Sequence, residues 1–353
     1  MILTALLVLA ACAVGVGLGY AVSRSTAPTT APTPTTSTTT TTATSAEVAA
    51  IAAKVDPGLV DVDTTLAYET ASGAGTGMVV TSSGEVFTNN HVVEGETSMH
   101  VTDVGNGKTY TATVVGYDVT ADVAVLQITG ASHLRTVSFA SVPAKAGEAV
   151  VAIGNAGGKG GTPSAVSGTV TGLDETITAS DELSGRVEHL TGMIETSAAI
   201  EAGDSGGPLV DAAGQVLGMD TAGSSRFVFS QETTEGFSIP IGTVDTVGTD
   251  IDLKQSSSTV HIGPTPFLGV DVANFDTTGA FVVEVLPGTA ATAIGLSRGD
   301  TIVSLGGRPI ENPTTLSDVL QAEKPGTTVQ ISWQNRLGQS ATATVTLRSG
   351  PPA

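Results

Sequence analysis

Seven consecutive residues, Gly203-Asp204-Ser205-Gly206-Gly207-Pro208-Leu209, set a serine among glycines ahead of a proline and an apolar residue. Such a run makes a poor helix and a poor strand. It forms a tight turn that presents one hydroxyl and leaves backbone N–H groups available. A hydroxyl nucleophile needs that exposure, and the N–H groups can hold the oxyanion formed when it attacks a carbonyl. The plain alternative is a Gly/Ser surface turn, so further residues must decide. A serine hydroxyl is a weak nucleophile near neutral pH. It needs a base, and the base needs an orienting carboxylate.

The chain has five histidines, His91, His100, His133, His189 and His261. Only His91 has the setting of a positioned base. Glu85-Val86-Phe87-Thr88 predicts a strand, Asn89-Asn90 a turn, and His91-Val92-Val93 the start of a short helix. His100 lies in polar–apolar alternation, His133 and His189 among loop and strand signals, and His261 in an inter-domain linker; all four read as structural. The carboxylate candidate is Asp122, at the head of the apolar run Val123-Ala124-Val125-Leu126. An acid there is costly to bury unless a group such as an imidazole N–H donates to it. Asp118 fits the spacing equally well. The chain order His, Asp, Ser is that of the chymotrypsin-type barrels and differs from the subtilisin and α/β-hydrolase orders.

Four segments resemble those of the HtrA (Deg) family of trypsin-like serine proteases. They are Thr88-Asn89-Asn90-His91-Val92-Val93, Ala121-Asp122-Val123-Ala124-Val125-Leu126, Ile194 to Ile200 leading into Gly203 to Leu209, and Ala152-Ile153-Gly154-Asn155 followed by Val166-Ser167-Gly168-Thr169-Val170. Together they cover about Ala46 to Leu253, and the aspartate segment selects Asp122 over Asp118. The resemblance implies a mainly β fold, a chymotrypsin-like double β-barrel of two six-stranded barrels with the triad in the cleft between them. It makes His91 the general base, Asp122 its orienting acid and Ser205 the nucleophile of an acyl-enzyme. Activity should then fall below about pH 6.5 as the imidazole protonates. The backbone N–H groups of Gly203 and Ser205 become the oxyanion donors. Ala199, six residues before the serine, becomes the base of the primary specificity pocket, with the opposite wall expected across Gly218 to Ala222, including Met219 and Thr221. No carboxylate sits there, so cleavage after small or medium apolar residues is implied. Asp204 departs from the family, which commonly has Asn; either solvent or a lysine or arginine must balance it.

The pattern of short runs agrees with a barrel. A helix is predicted over Glu47–Lys54 and a hairpin over Thr76–Thr81 and Glu85–Thr88. Strands are predicted at Met99–Val104, Thr109–Val115, Val123–Ile128, Val150–Ile153, Val166–Leu173, His189–Thr196, Gly207–Val210, Gln215–Asp220 and Gly236–Ile239. Gly154 to Gly161 with Lys159 is not a phosphate loop, because the spacing is wrong and Gly160 replaces the needed Ser/Thr. No Cys/His cluster suits a metal, and no cofactor is expected.

A second unit begins after Lys254-Gln255-Ser256-Ser257-Ser258. Pro266-Phe267-Leu268-Gly269-Val270, Gly279 to Val285, Pro287-Gly288-Thr289-Ala290-Ala291 and Gly295 to Ile302 resemble a PDZ domain of the HtrA type across residues 263–348. This is a β-sandwich-like domain with two helices. Thr314 to Ala322 has helical spacing, and Val329–Trp333 and Ala341–Leu347 read as closing strands. The loop Phe267, Leu268, Gly269, Val270 would turn its N–H groups toward a peptide C-terminal carboxylate, and the peptide would add as a strand beside Val270.

Length and composition bound the rest. The 353 residues fit two modest domains with tails, and a formal charge of −20 argues against nucleic acid or an anionic membrane surface as partner. One cysteine excludes an internal disulfide. Residues 1–22 are apolar and about 33 Å long as a helix, enough for a membrane anchor or uncleaved signal. Leu9-Ala10-Ala11-Cys12 alternatively resembles a lipoprotein cleavage box. Residues 23–45 read as a Thr/Pro-rich disordered stalk with a reach on the order of 65 Å. The domains are thus placed at 46–253 and 263–348, with a linker at 254–262 and a flexible tail at 349–353. The resemblance implies a membrane-tethered extracytoplasmic endopeptidase that cleaves unfolded or damaged exported proteins under PDZ control. A resting or non-cleaving peptide-binding, chaperone-like protein is the alternative. Relatives form trimers through N-terminal aromatics, yet residues 45–63 contain none.

Overall fold

The computed structural model describes residues 43–66, 71–181, 187–221, 227–229, 235–275 and 278–352. The apolar segment 1–22 and nearly all of the stalk lie outside them. Among the described residues no helix is long and apolar enough to cross a membrane.

Helix α1 (Ser45–Val55) starts at a capping box. The Glu47 N–H donates to Thr44 Oγ1 at 3.4 Å, and the Thr44 N–H donates to the Glu47 carboxylate at 2.8 Å. The helix buries Ile51, Ala52 and Val55 and stops ahead of Pro57.

The first barrel comprises β1 (Leu59–Leu66), β2 (Ala71–Val79), β3 (Glu85–Thr88), the one-turn helix α2 (Asn90–Val93), β4 (Ser98–Asp103), β5 (Thr109–Asp118) and β6 (Val123–Ile128). Its sheet runs β5-β4-β1-β2-β3-β6, and pairing of β5 with β6 closes the ring. The second barrel comprises β7 (Ala149–Gly154), β8 (Ser164–Asp181), β9 (Val187–Thr196), β10 (Pro208–Val210), β11 (Val216–Thr221), β12 (Phe227–Phe229) and β13 (Gly236–Pro240). Here β8-β7-β10-β11-β13-β9 closes through β8 with β9, and β12 adds outside β8. β8 continues well past Leu173, where the sequence suggests an end.

Why β6 and β7 are continuous apolar runs is visible in their packing. Ala124, Leu126 and Ile128 fill the first barrel, whereas Val123 and Val125 face the core shared by both barrels. In β7, Val150 and Ala152 fill the second barrel, and Val151 and Ile153 face the shared core. Alternate residues point to opposite faces, and here both faces are buried.

Helix α3 (Ile241–Asp252) has no counterpart among the elements expected from sequence. Its β-branched and glycine-rich sequence has low intrinsic helicity. Burial of Ile241, Val244, Val247 and Ile251 against the shared core supplies the stability.

Two expected loose segments are structured instead. The linker contains β14 (Val260–Ile262), which pairs antiparallel with β5 and adds to the first barrel's sheet. His261 stacks on Tyr117 with ring centroids 5.0 Å apart. The second unit contains β15 (Thr265–Phe267), β16 (Val270–Ala273), β17 (Ala280–Val285), α4 (Ala290–Ala293), β18 (Thr301–Leu305), β19 (Arg308–Pro309), α5 (Pro313–Gln321), β20 (Thr328–Gln334), β21 (Ser340–Thr346) and β22 (Arg348–Gly350). The main sheet runs β16-β17-β18-β20-β21, leaving β16 at one edge. The expected flexible tail enters β22, which pairs with β15, and Pro352 O accepts the Gly95 N–H at 2.9 Å. Strand pairing gives both segments backbone partners that flanking composition alone does not reveal.

Candidate active site

Strand β3 delivers Asn89, Asn90 and His91 at the mouth of the first barrel. The turn between β5 and β6 brings Asp122 to the same place, and the turn before β10 brings Ser205 from the second. His91 Nδ1 lies 2.9 Å and 3.1 Å from the two Asp122 carboxylate oxygens. A carboxylate only accepts, so Nδ1 carries the proton and Nε2 is left as an acceptor. Nε2 lies 3.0 Å from Ser205 Oγ, which donates to it. The three residues named from the sequence are therefore brought together in hydrogen-bonding order.

Asp122 is buried and held in the left-handed region at φ 54°, which Asp tolerates better than most residues. Its carboxylate also accepts from the His91 backbone N–H at 3.0 Å, from Asn89 Nδ2 at 3.0 Å and from Thr221 Oγ1 at 3.1 Å. Asn89 Nδ2 reaches the Asp122 carbonyl as well, at 3.0 Å. Sequence reasoning missed both supporting donors. Asn89 reads as a turn residue, and Thr221 is expected on the specificity wall. Asp118 is occupied elsewhere, accepting from the Ala121 N–H at 3.0 Å and from Thr259 Oγ1 at 2.8 Å.

The nucleophile turn depends on two glycines. Gly203 has φ 99°, and a Cβ there would lie 2.2 Å from Asn155 O; Gly206 has φ 86°, and a Cβ would lie 2.0 Å from Thr76 O. Thr76 braces the turn from β2. Its N–H donates to Ser205 O and its hydroxyl to Gly203 O, each at 2.8 Å, while the Asn155 N–H donates to the same hydroxyl. Ala202 O accepts the Gly157 N–H at 2.6 Å. The C=O and N–H of a trans peptide point oppositely, so this bond aims the Gly203 N–H away from the 155–158 loop.

The residues expected along the specificity wall lie largely on β11. Every residue of β11 is buried. Gly218 is packed against β13, where a Cβ would lie 2.9 Å from Ile239 O, and Met219 lies in the core shared by the barrels. Thr221 turns to Asp122. All three are buried. Ala199 is exposed, and Ala222 lies outside the described residues. The expectation for Asp204 is corrected. It is buried rather than solvated, no ion pair reaches it among the described residues, and its Oδ2 accepts the Glu201 N–H at 2.9 Å.

In the second unit, Leu268 is buried in the core and Gly269 has φ 86°. Leu268 O accepts the Ala291 N–H at 2.8 Å, and Gly269 O accepts the Leu286 N–H at 3.0 Å. With both carbonyls turned inward, the N–H groups on the same peptide planes, those of Gly269 and Val270, point the other way. Phe267 closes β15 and Val270 opens the edge strand β16.

Comparison with known proteins agrees with this geometry. Residues 75–219 match the trypsin-like peptidase domain and residues 266–347 the PDZ domain. The pair defines a serine protease with a C-terminal PDZ domain. The chain is 30% identical over 318 residues to the serine protease PepD of Mycobacterium tuberculosis, covering 85% of this chain and 66% of that protein. It is 34% identical over 272 residues to a probable periplasmic DegP-like serine endoprotease of Chlamydia trachomatis, covering 73% and 50%. It is 31% identical over 284 residues to the Do-like serine protease HtrB of Bacillus subtilis, covering 74% and 58%. The chain belongs to the HtrA family of trypsin-like serine proteases. It spans between half and about two thirds of the length of these relatives. Solved structures that resemble it include a serine endoprotease from Yersinia pestis (TM-score 0.47, 23% identity, 85% of this chain and 97% of that one). Another is the HtrA-type protease AlgW with a tripeptide (TM-score 0.49, 26% identity, 86% and 98%).

Proposed function

We propose that this chain is a serine endopeptidase acting through Ser205, His91 and Asp122, with its PDZ domain taking peptide C-termini. The observation that carries this reading is the pair of contacts on one imidazole, Nε2 to Ser205 Oγ at 3.0 Å and Nδ1 to Asp122 at 2.9 Å. As Ser205 Oγ attacks a substrate carbonyl, its proton passes to His91 Nε2, and Asp122 stabilises the imidazolium. The N–H groups of Gly203 and Ser205 receive the oxyanion. His91 then protonates the leaving amine, and water hydrolyses the acyl-enzyme by the same route in reverse.

Substrates are unfolded or damaged exported proteins. A C-terminal peptide adds to the free edge of β16, with its carboxylate at the Phe267–Val270 loop, and this binding regulates cleavage. The apolar segment 1–22 tethers the enzyme to the membrane with both domains extracytoplasmic.

Fluorophosphonate labelling of the full chain tests the reading, beside Ser205→Ala and with or without a peptide ending in apolar residues. Labelling of the wild type alone supports an activated Ser205, and enhancement by peptide supports PDZ control. Absence of labelling in both conditions would leave a non-cleaving peptide-binding protein. The rate should fall below about pH 6.5 as His91 protonates; a flat profile from pH 5 to 8 would count against His91 as base.

A further inference from the structure

Behind the nucleophile turn lie two carboxyl groups that the reaction above does not use. Asp204 precedes Ser205, and Asp220 precedes Thr221, the donor to Asp122. Their backbones interlock. The Gly206 N–H donates to Asp220 O at 2.9 Å, the Asp220 N–H to Gly207 O at 2.7 Å, and the Gly207 N–H to Asp204 O at 2.8 Å. Both side chains are buried, at 3% and 0% exposure. Asp204 Oδ2 takes the Glu201 N–H and Asp220 Oδ1 takes Ser238 Oγ at 2.7 Å. Asp204 Oδ1 and Asp220 Oδ2 have no hydrogen-bond partner among the described residues.

Among the described residues, the groups facing the pair offer no positive charge. Glu201 faces Asp204 from its own turn, Ser164 approaches from β8, and Gly154 of β7 packs against it. Asp220 is faced by Asp204, by Ser238 of β13 and by the Ile153 backbone of β7. An ionised oxygen without a donor in such a place costs far more than a neutral carboxyl does.

We propose that Asp204 and Asp220 are positioning residues that form a proton-operated latch, holding the Ser205 turn against β11 while neutral and loosening it as they ionise. The proposal takes Ser205 as the nucleophile, so it rests on the reading given above. Burial pushes Asp204 up to about 6, with the Glu201 charge adding to the rise. Burial, with the Asp204 charge behind it, pushes Asp220 well above the usual carboxylate range. A carboxyl raised in the seated state favours that state fully below its ordinary value of about 3.9 and loses the contribution as pH climbs through the raised value. Loosening therefore starts above about pH 4, passes the Asp204 step near 6 and continues upward on Asp220. His91 must be neutral to act as base and moves the rate the opposite way. The latch sets an alkaline limit and the histidine an acid one.

Hydrogen exchange of the full chain, followed at residues 203–209 and corrected for intrinsic rates, reads the latch without using activity. Between pH 5 and 8 the wild-type protection factor should fall at least about tenfold, the amount that raising the Asp204 carboxyl to about 6 gives by itself over that range, with Asp220 adding to it. Asp204→Asn cannot ionise, and its amide can donate where the proton stood. It should lose the roughly tenfold share of that fall that belongs to Asp204, and Asp220→Asn should lose the remainder. Labelling rates from pH 6.5 to 9 should decline in the wild type and hold level in Asp220→Asn. Wild-type protection that does not change with pH, or the same fall in Asp204→Asn, overturns the latch. If Asp220→Asn fails to fold, Asp204→Asn alone decides. Protection that behaves as expected in a chain that never labels would keep the latch and sink the endopeptidase reading.

Discussion

At the residue scale, the site depends on how many donors hold one buried carboxylate in place. Asp122 accepts from the His91 ring and backbone, from Asn89 and from Thr221. Each donor lowers the cost of a charge in the interior and fixes the imidazole plane. Thr221→Val keeps the shape and removes one donor. The loss should be about 1–1.5 kcal/mol, so the labelling rate of Ser205 should drop about tenfold, and Thr221→Ser should recover most of it. An unchanged rate in Thr221→Val would mean that Asn89 and His91 suffice. The triad itself was legible in sequence because only a few residue types can do its chemistry and their order is restricted. The support given by Thr221 and Asn89 was not, since the threonine follows a strand on the expected pocket wall and an asparagine in a turn has an ordinary structural explanation. Gly218 and Met219 were expected on the same wall, and β11 buries both.

At the scale of elements, legibility followed how far local pattern and tertiary demand agree. β6 and β7 stand out as unbroken apolar runs because each packs one face into its own barrel and the other into the shared core. β1 is interrupted by Asp61 and Asp63, and its register emerges only from pairing with β2 and β4. Buried Asp61 is explained by its Oδ2, which accepts the Gly161 N–H at 3.0 Å. Helix α3 is the clearest case of packing overriding propensity. Gly248 lies where a Cβ would come within 2.3 Å of the Phe87 ring. In an exposed helix Gly→Ala gains about 1 kcal/mol. Here the methyl group must displace a buried ring, and overpacking of that kind costs about 1–3 kcal/mol. Gly248→Ala should therefore lower the urea midpoint with an unchanged slope. A higher midpoint would show that α3 or Phe87 shifts freely, and that the fit seen at Gly248 is not a constraint.

At the scale of the whole molecule, the PDZ unit is attached to the first barrel by more than a linker. β14 extends the barrel sheet, Tyr117 OH lies 3.1 Å from Thr265 Oγ1, and Pro352 O accepts from Gly95 at 2.9 Å. None of this was legible, because strand addition and end-to-loop bonds depend on partners far away in sequence. The last contact matters for the site. α2 carries His91 and is a single turn, too short to be stable alone. Its N-terminal side is held by the His91 N–H bond to Asp122, and the loop after it by Pro352. Removing residues 351–353 leaves β22 paired with β15 but deprives the Gly95 N–H of its acceptor. Exchange at residues 94–97 should quicken about fivefold or more, as loss of one net hydrogen bond of about 1 kcal/mol implies. Labelling of Ser205 should fall by less than that, because His91 retains its own bonds to Asp122. Equal losses in both readouts would mean that the end of the PDZ unit positions His91 itself. No change in exchange would show that the 94–97 loop is held by the barrel alone.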